Sequence, residues 1–163
     1  MKLRSRIAFV LVVLALVGCA RSRSIIKRDD EAGFGGYRAI GVPAFVDPRG
    51  EGQKIADAIN RDLAALTYNP VDGKAVAKIL AQHKPSKDFG YSLEALELIR
   101  NQTSADAVII GRMSPNWDAA FIMMFETNMG EQVLKGIIRP PGRKKAFKNP
   151  DEIALAVVKA ITR

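Results

Sequence analysis

The sequence predicts an α/β domain, a mixed five-stranded sheet flanked by helices, and three observations carry that expectation. Strand-period and helix-period stretches alternate along residues 37–163. Ala107 to Gly111 is an unbroken apolar, largely β-branched run, as a strand covered on both faces requires. Near the end of the chain Asn149, Pro150 and Glu152 stand at the N-cap, N1 and N3 positions of a helix start. The resulting order, β-α-β-α-α-β-β-β-α, is that of a layered sandwich.

Each element follows from its own pattern. In "YRAIGVPAF", Ile40, Val42 and Ala44 alternate on one face of a strand, with Pro43 marking an edge or a bulge. After the turn residues of "VDPRGEG", Ile55, Ile59, Leu63 and Leu66 form one helical stripe. "TYNPVDG" is read as a short connection or strand, counted as a strand in the order above, and Val76, Ile79, Leu80 and His83 form a second stripe that Pro85 ends. Ser92 is suited to cap a third helix, with Glu94 in its first turn and Leu93, Leu96 and Ile99 facing inward. Ala107–Gly111 is expected to be the central strand. Residues 118–128 and 131–139 pair as a hairpin, with Asn128 to Glu131 as its turn. Ile153, Val157, Ala160 and Ile161 line the inner side of the last helix.

The chain before residue 37 is of a different kind. Lys2, Arg4 and Arg6 precede eleven apolar residues, Ile7 to Val17. That is the architecture of a secretory signal, and it is short of the ~20 residues a membrane-spanning helix needs. Leu16-Val17-Gly18-Cys19 resembles the bacterial lipobox, in which the cysteine sulfur is alkylated by a diacylglyceryl group and becomes the acylated first residue. Cys19 is the sole cysteine, so no intramolecular disulfide competes for it. By the same resemblance, Ala20 rather than an aspartate after the cysteine points to the outer membrane. Removing residues 1–18 with their three cations leaves 145 residues and a net charge of +5, the size of one domain. Residues 19–36, "CARSRSIIKRDDEAGFGG", read as a flexible tether that averages only ~20–25 Å as a coil.

Over residues 37–163 a family resemblance then appears. "AIGVPAFVDPRGEGQKIADAINRDL", "NPVDGKAVAKIL" and "SLEALELIRNQTSADAVIIGRM" are similar to the strand, loop and helix pattern of one superfamily. It includes the amino-terminal domain of the Tol-Pal translocation protein, the curli-secretion lipoprotein and the lipoprotein activators of penicillin-binding proteins. Asp106, Gly111 and the Gly50/Gly52 loop carry the match. The resemblance implies an anticodon-binding-domain-like sheet and brings no catalytic residue with it. Its pore-forming members add amphipathic strands to a shared barrel, whereas here the one hairpin candidate is needed for the domain's own sheet.

Residues able to do chemistry are sparse. His83, the sole histidine, has no cysteine, histidine or carboxylate companion in the pattern, so neither a metal site nor a catalytic triad is expected. Asp47, Glu51 and Asp57 could serve as paired carboxylates, yet acids are also favoured at a helix N-terminus. Glu94 and Glu97 read as solvated helix residues. No cofactor is expected.

Two surfaces are candidates for binding. Trp117, Phe121, Met123 and Phe125 form an apolar partner surface, because adaptable thioethers and aromatics suit contacts with other proteins. Arg139, Arg143, Lys144, Lys145 and Lys148 form a proline- and glycine-containing basic loop without an acid, placed for an anionic lipid surface. Nucleic acid is not expected, since the signal exports the chain and no base-stacking array accompanies the cations. The chain is therefore read as a non-enzymatic, lipid-anchored periplasmic protein, a structural or assembly component of an outer-membrane complex. Its expected partners are outer-membrane lipid through Cys19 and envelope proteins, with a homo-oligomeric ring as one arrangement. A regulator of a cell-wall synthase and an envelope hydrolase are the alternatives.

Overall fold

A computed structural model describes residues 24–28, 36–85, 90–142 and 144–162. They form the expected α/β fold. The sheet comprises β1 (Ile25–Arg28), β2 (Ile40–Gly41), β3 (Ala107–Met113), β4 (Ala120–Glu126) and β5 (Gln132–Ile138). The helices are α1 (Gly52–Ala65), α2 (Gly73–Gln82), α3 (Leu93–Thr103) and α4 (Pro150–Ile161). Strand order is β1-β5-β4-β3-β2, antiparallel throughout except for the parallel β2–β3 pair.

Alternation along the strands divides the interior into two cores. On the first face Ile109, Ile122, Met124, Leu134 and Ile138 meet the apolar stripes of α1 and α4. On the second face Val108 and Phe125 meet Val76, Ile79 and Leu80 of α2, with Leu96 and Ile99 of α3. A bulge at Met124/Phe125 gives β5 one extra residue, so that Val133 and Leu134 are both buried. Helices start where the capping residues stand. The side chains of Asp72, Ser92 and Asn149 accept the amide N–H groups of Lys74, Ala95 and Glu152.

The structure departs from these expectations at several places. The fifth strand is Ile25–Arg28, within the segment read as tether, and Asn69 contributes only an isolated bridge to Ala39. β4, not β3, stands at the middle of the sheet. Ala44 is exposed and Phe45 is buried, because the alternation ends at Pro43. Leu93 lies on the exposed first turn of α3 and Ala95 is buried in its stead.

The residues that carry the family resemblance have architectural work. Asp106 Oδ2 accepts the backbone N–H groups of Arg38 and Ala39 at 2.8 and 2.9 Å, pinning the start of β2 beside β3. A Cβ on Gly111 would stand 2.2 Å from the Phe45 ring, and one on Gly52 would stand 1.9 Å from the Phe45 carbonyl oxygen. Phe45 thus needs both glycines to enter the core.

Candidate functional site

Candidate residues from the first loop, the β3–β4 connection and the basic loop converge at the end of the sheet where β1 starts and β5 ends. Asp47 is the hub. Its Oδ1 accepts the Trp117 indole N–H at 2.7 Å and its Oδ2 accepts the Glu51 amide at 2.8 Å. The Arg49 guanidinium carbon lies 4.4 Å from the Trp117 ring centroid, a cation–π contact. Trp117 itself adopts φ +59°, a left-handed conformation that its surroundings impose on a bulky residue. Its carbonyl accepts the Phe147 N–H at 2.8 Å, which ties the basic loop's end to the same hub.

The acids read as possible catalytic carboxylates are each turned to a different partner. Asp47 serves Trp117 and Glu51, Glu51 pairs with Lys54 at 2.8 Å, and Asp57 accepts the Gln53 side-chain amide at 2.8 Å. His83 is the C-cap of α2, where its backbone N–H bonds the Leu80 carbonyl. Among the described residues no group of three histidine, cysteine or acidic side chains is arranged to hold a metal ion.

The four residues read as a partner surface separate. Trp117 and Phe125 are 2% and 4% exposed, so in the folded domain they are core residues and offer no surface. Phe121 and Met123 are half-buried on the second face. The Arg112 guanidinium carbon lies 5.1 Å from the Phe121 ring centroid.

The basic loop is also heterogeneous. Lys144 Nζ donates to Glu152 Oε1 at 2.6 Å and the Lys148 N–H donates to Oε2 at 3.1 Å. These two bonds, that from Lys144 first, hold the Glu152 carboxyl below its ordinary pKa. Lys145 is exposed, and the Arg139 N–H donates to Ser24 Oγ at 2.9 Å. Arg143 lies outside the described residues, as does Cys19.

No protein-family model matches this chain, and no curated protein matches its sequence. Solved structures do resemble it. A PelC dodecamer from Paraburkholderia phytofirmans is 11% identical over 85% of this chain and 94% of that one, with a TM-score of 0.47. A variant of the same dodecamer in a second crystal form is 13% identical over 86% and 98% of the two chains, with a TM-score of 0.49. The NMR structure of E. coli LpoB is 15% identical over 62% and 56%, with a TM-score of 0.41.

The sequence pattern did not indicate β1 or Lys27, the cation that β1 brings onto the second face. Lys27 of β1 stands opposite Lys135 of β5, and both are exposed. The signal was faint but present: Ile25-Ile26 is the one apolar pair between Cys19 and Glu31. Among the described residues no helix is long and apolar enough to cross a membrane.

Proposed function

We propose that this chain is a lipid-anchored protein of the bacterial envelope, held at the periplasmic face of the outer membrane through acylated Cys19. Its domain acts there without catalysis, as a structural or assembly component of a membrane-associated complex. One observation carries the reading: β1 begins at Ile25, six residues after the lipobox cysteine. An anchor joined so directly to the sheet holds the domain close to the bilayer surface. A part that reaches across the periplasm to a distant synthase would need a long free tether, and six residues extend at most about 21 Å. Copies anchored in this way share a plane and an orientation, which raises local concentration and lowers the orientational cost of lateral association. The separate engagement of Asp47, Glu51 and Asp57 supports the non-catalytic part of the reading.

Mass spectrometry of the amino terminus of the membrane-extracted protein tests the anchor. The expected species begins at a lipid-modified Cys19, and Cys19→Ser is expected to accumulate as an unprocessed precursor. An unmodified cysteine, or a start elsewhere, would overturn the reading. Copurification from the detergent-solubilised envelope is expected to recover further copies or a protein partner; a protein that stays monomeric and recovers nothing would overturn the assembly role.

A further inference from the structure

Among the described residues the second face of the sheet is covered unevenly, and the half they leave uncovered lies at the end from which the chain leads back to Cys19. α2 and α3 close over Val108 and Phe125. Toward the other end of the same face, Ile25, Ile137, Phe121 and Arg112 stand side by side across four strands. Ile25 is 60% exposed, Ile137 and Phe121 are half-buried, and Arg112 is exposed. The next row on this face consists of Lys27, Lys135, Met123 and Ile110. Along β1, β5 and β3 an apolar side chain and a cation thus stand two residues apart on this face: Ile25 and Lys27, Ile137 and Lys135, Ile110 and Arg112.

Along the strands themselves the charge is one-sided. The single carboxylate on β1, β3, β4 and β5 is Glu126, at the opposite end of the sheet beside Ala107. Lys27 and Lys135 face each other directly across antiparallel strands, an arrangement in which like charges oppose strand pairing. Among the described residues neither has a carboxylate partner. An anionic counter-surface would turn that repulsion into attraction.

The covalent path fixes what is near. Ser24, which receives the Arg139 N–H, is five residues from Cys19, a contour length of at most about 18 Å whatever path those residues take. A protein layer between this edge and the bilayer would need more room, since a 100-residue domain already has a radius of gyration of about 13 Å. Lipid phosphates are the anions within reach. Resting on the lipid-anchored reading above, we propose that the uncovered half-face is a membrane-docking surface. Lys27, Lys135 and Arg112 meet the phosphates of an anionic bilayer, and Ile25, Ile137 and Phe121 enter its headgroup layer. The layer of α1 and α4 is then the surface turned toward the periplasm.

The test uses the acylated protein, reconstituted into vesicles of phosphatidylethanolamine with or without phosphatidylglycerol. With the Cys19 sulfur occupied by lipid, a fluorophore is placed through Ile25→Cys on the docking face or through Leu155→Cys on the exposed side of α4. In anionic vesicles carrying nitroxide headgroups, the label at 25 is expected to be quenched several-fold more than the label at 155. Adding Lys135→Glu is expected to abolish that difference while raising the melting temperature in neutral detergent, because it relieves the repulsion with Lys27. The opposite signs separate a docking effect from a folding defect. Protein that floats with the vesicles but shows equal quenching at the two positions would overturn docking and leave the anchor standing. Shielding of position 25 that ignores lipid charge and grows with protein density would assign the face to a second copy, and overturn docking too. Protein that does not float at all would overturn the anchor, and the docking with it.

Discussion

The two faces of the sheet are built from adjacent residues of the same strands, yet they have different fates. Along β4, Ile122 and Met124 are enclosed beneath α1 and α4, whereas Phe121 and Met123 on the other face remain half-exposed and Phe125 alone is enclosed there. The first face is closed by two helices that pack against each other. On the second face α2 and α3 cover the end near Val108 and stop short of Arg112. Apolar content therefore does not distinguish core from surface in this hairpin. Helix placement does.

The largest contrast is expected from truncating two phenylalanines four residues apart on one face. Phe125→Ala is expected to cost about 3–5 kcal/mol, the range for emptying a packed aromatic site, as read from urea unfolding. Phe121→Ala is expected to cost less than about 1 kcal/mol, because its site is already open to solvent. Equal losses would mean that the second face is as closed as the first.

The sequence announced elements whose causes are local. The Ser92 and Asn149 caps, the Pro85 stop and the hairpin turn near Gly130 each depend on a few neighbouring residues, and each stands where its residues indicated. β1 escaped because its cause is remote: two of its four residues are cations, and it pairs with a strand more than a hundred positions away. Asn69 drew a strand into the reading that the chain does not make, since Pro70 follows it without an N–H for a ladder. At the candidate site, the sequence marked Phe121 and Phe125 as equivalent by alternation, and only the position of α2 and α3 tells them apart. The burial of Trp117 depends on a left-handed backbone and on Asp47, seventy residues earlier, which no local pattern specifies.

A smaller effect probes the hub that closes the first core at the end where β1 starts and β5 ends. Asp47→Ala leaves the buried Trp117 indole N–H without its acceptor and the Glu51 amide without its cap. The expected loss is about 1–3 kcal/mol, the usual cost of orphaning a buried donor. Near-ultraviolet circular dichroism of the single tryptophan should weaken in parallel. An Asp47→Ala protein with unchanged stability would show that the hub follows the fold rather than holding it.

The smallest expected effect is a pH dependence at the start of α4, the helix that completes the first face. Glu152 sits at N3, accepting from the Lys144 ammonium and the Lys148 amide, and both bonds favour its ionised form. Its folded-state pKa is therefore depressed below the ordinary glutamate value of about 4.3. A depressed carboxyl stabilises the fold fully above its unfolded pKa, and that contribution is lost as pH falls through the folded one. Glu152→Gln is accordingly expected to lower the urea midpoint slightly at pH 7 and to leave it unchanged once both states of the wild type are protonated. The effect should stay small because the pair is partly open to solvent, where salt and water screen it. Added salt should narrow the pH 7 difference further. A difference that persisted unchanged into strong acid would assign the effect to the amide's shape at N3 rather than to charge, and would remove Lys144 from the forces that close the first face.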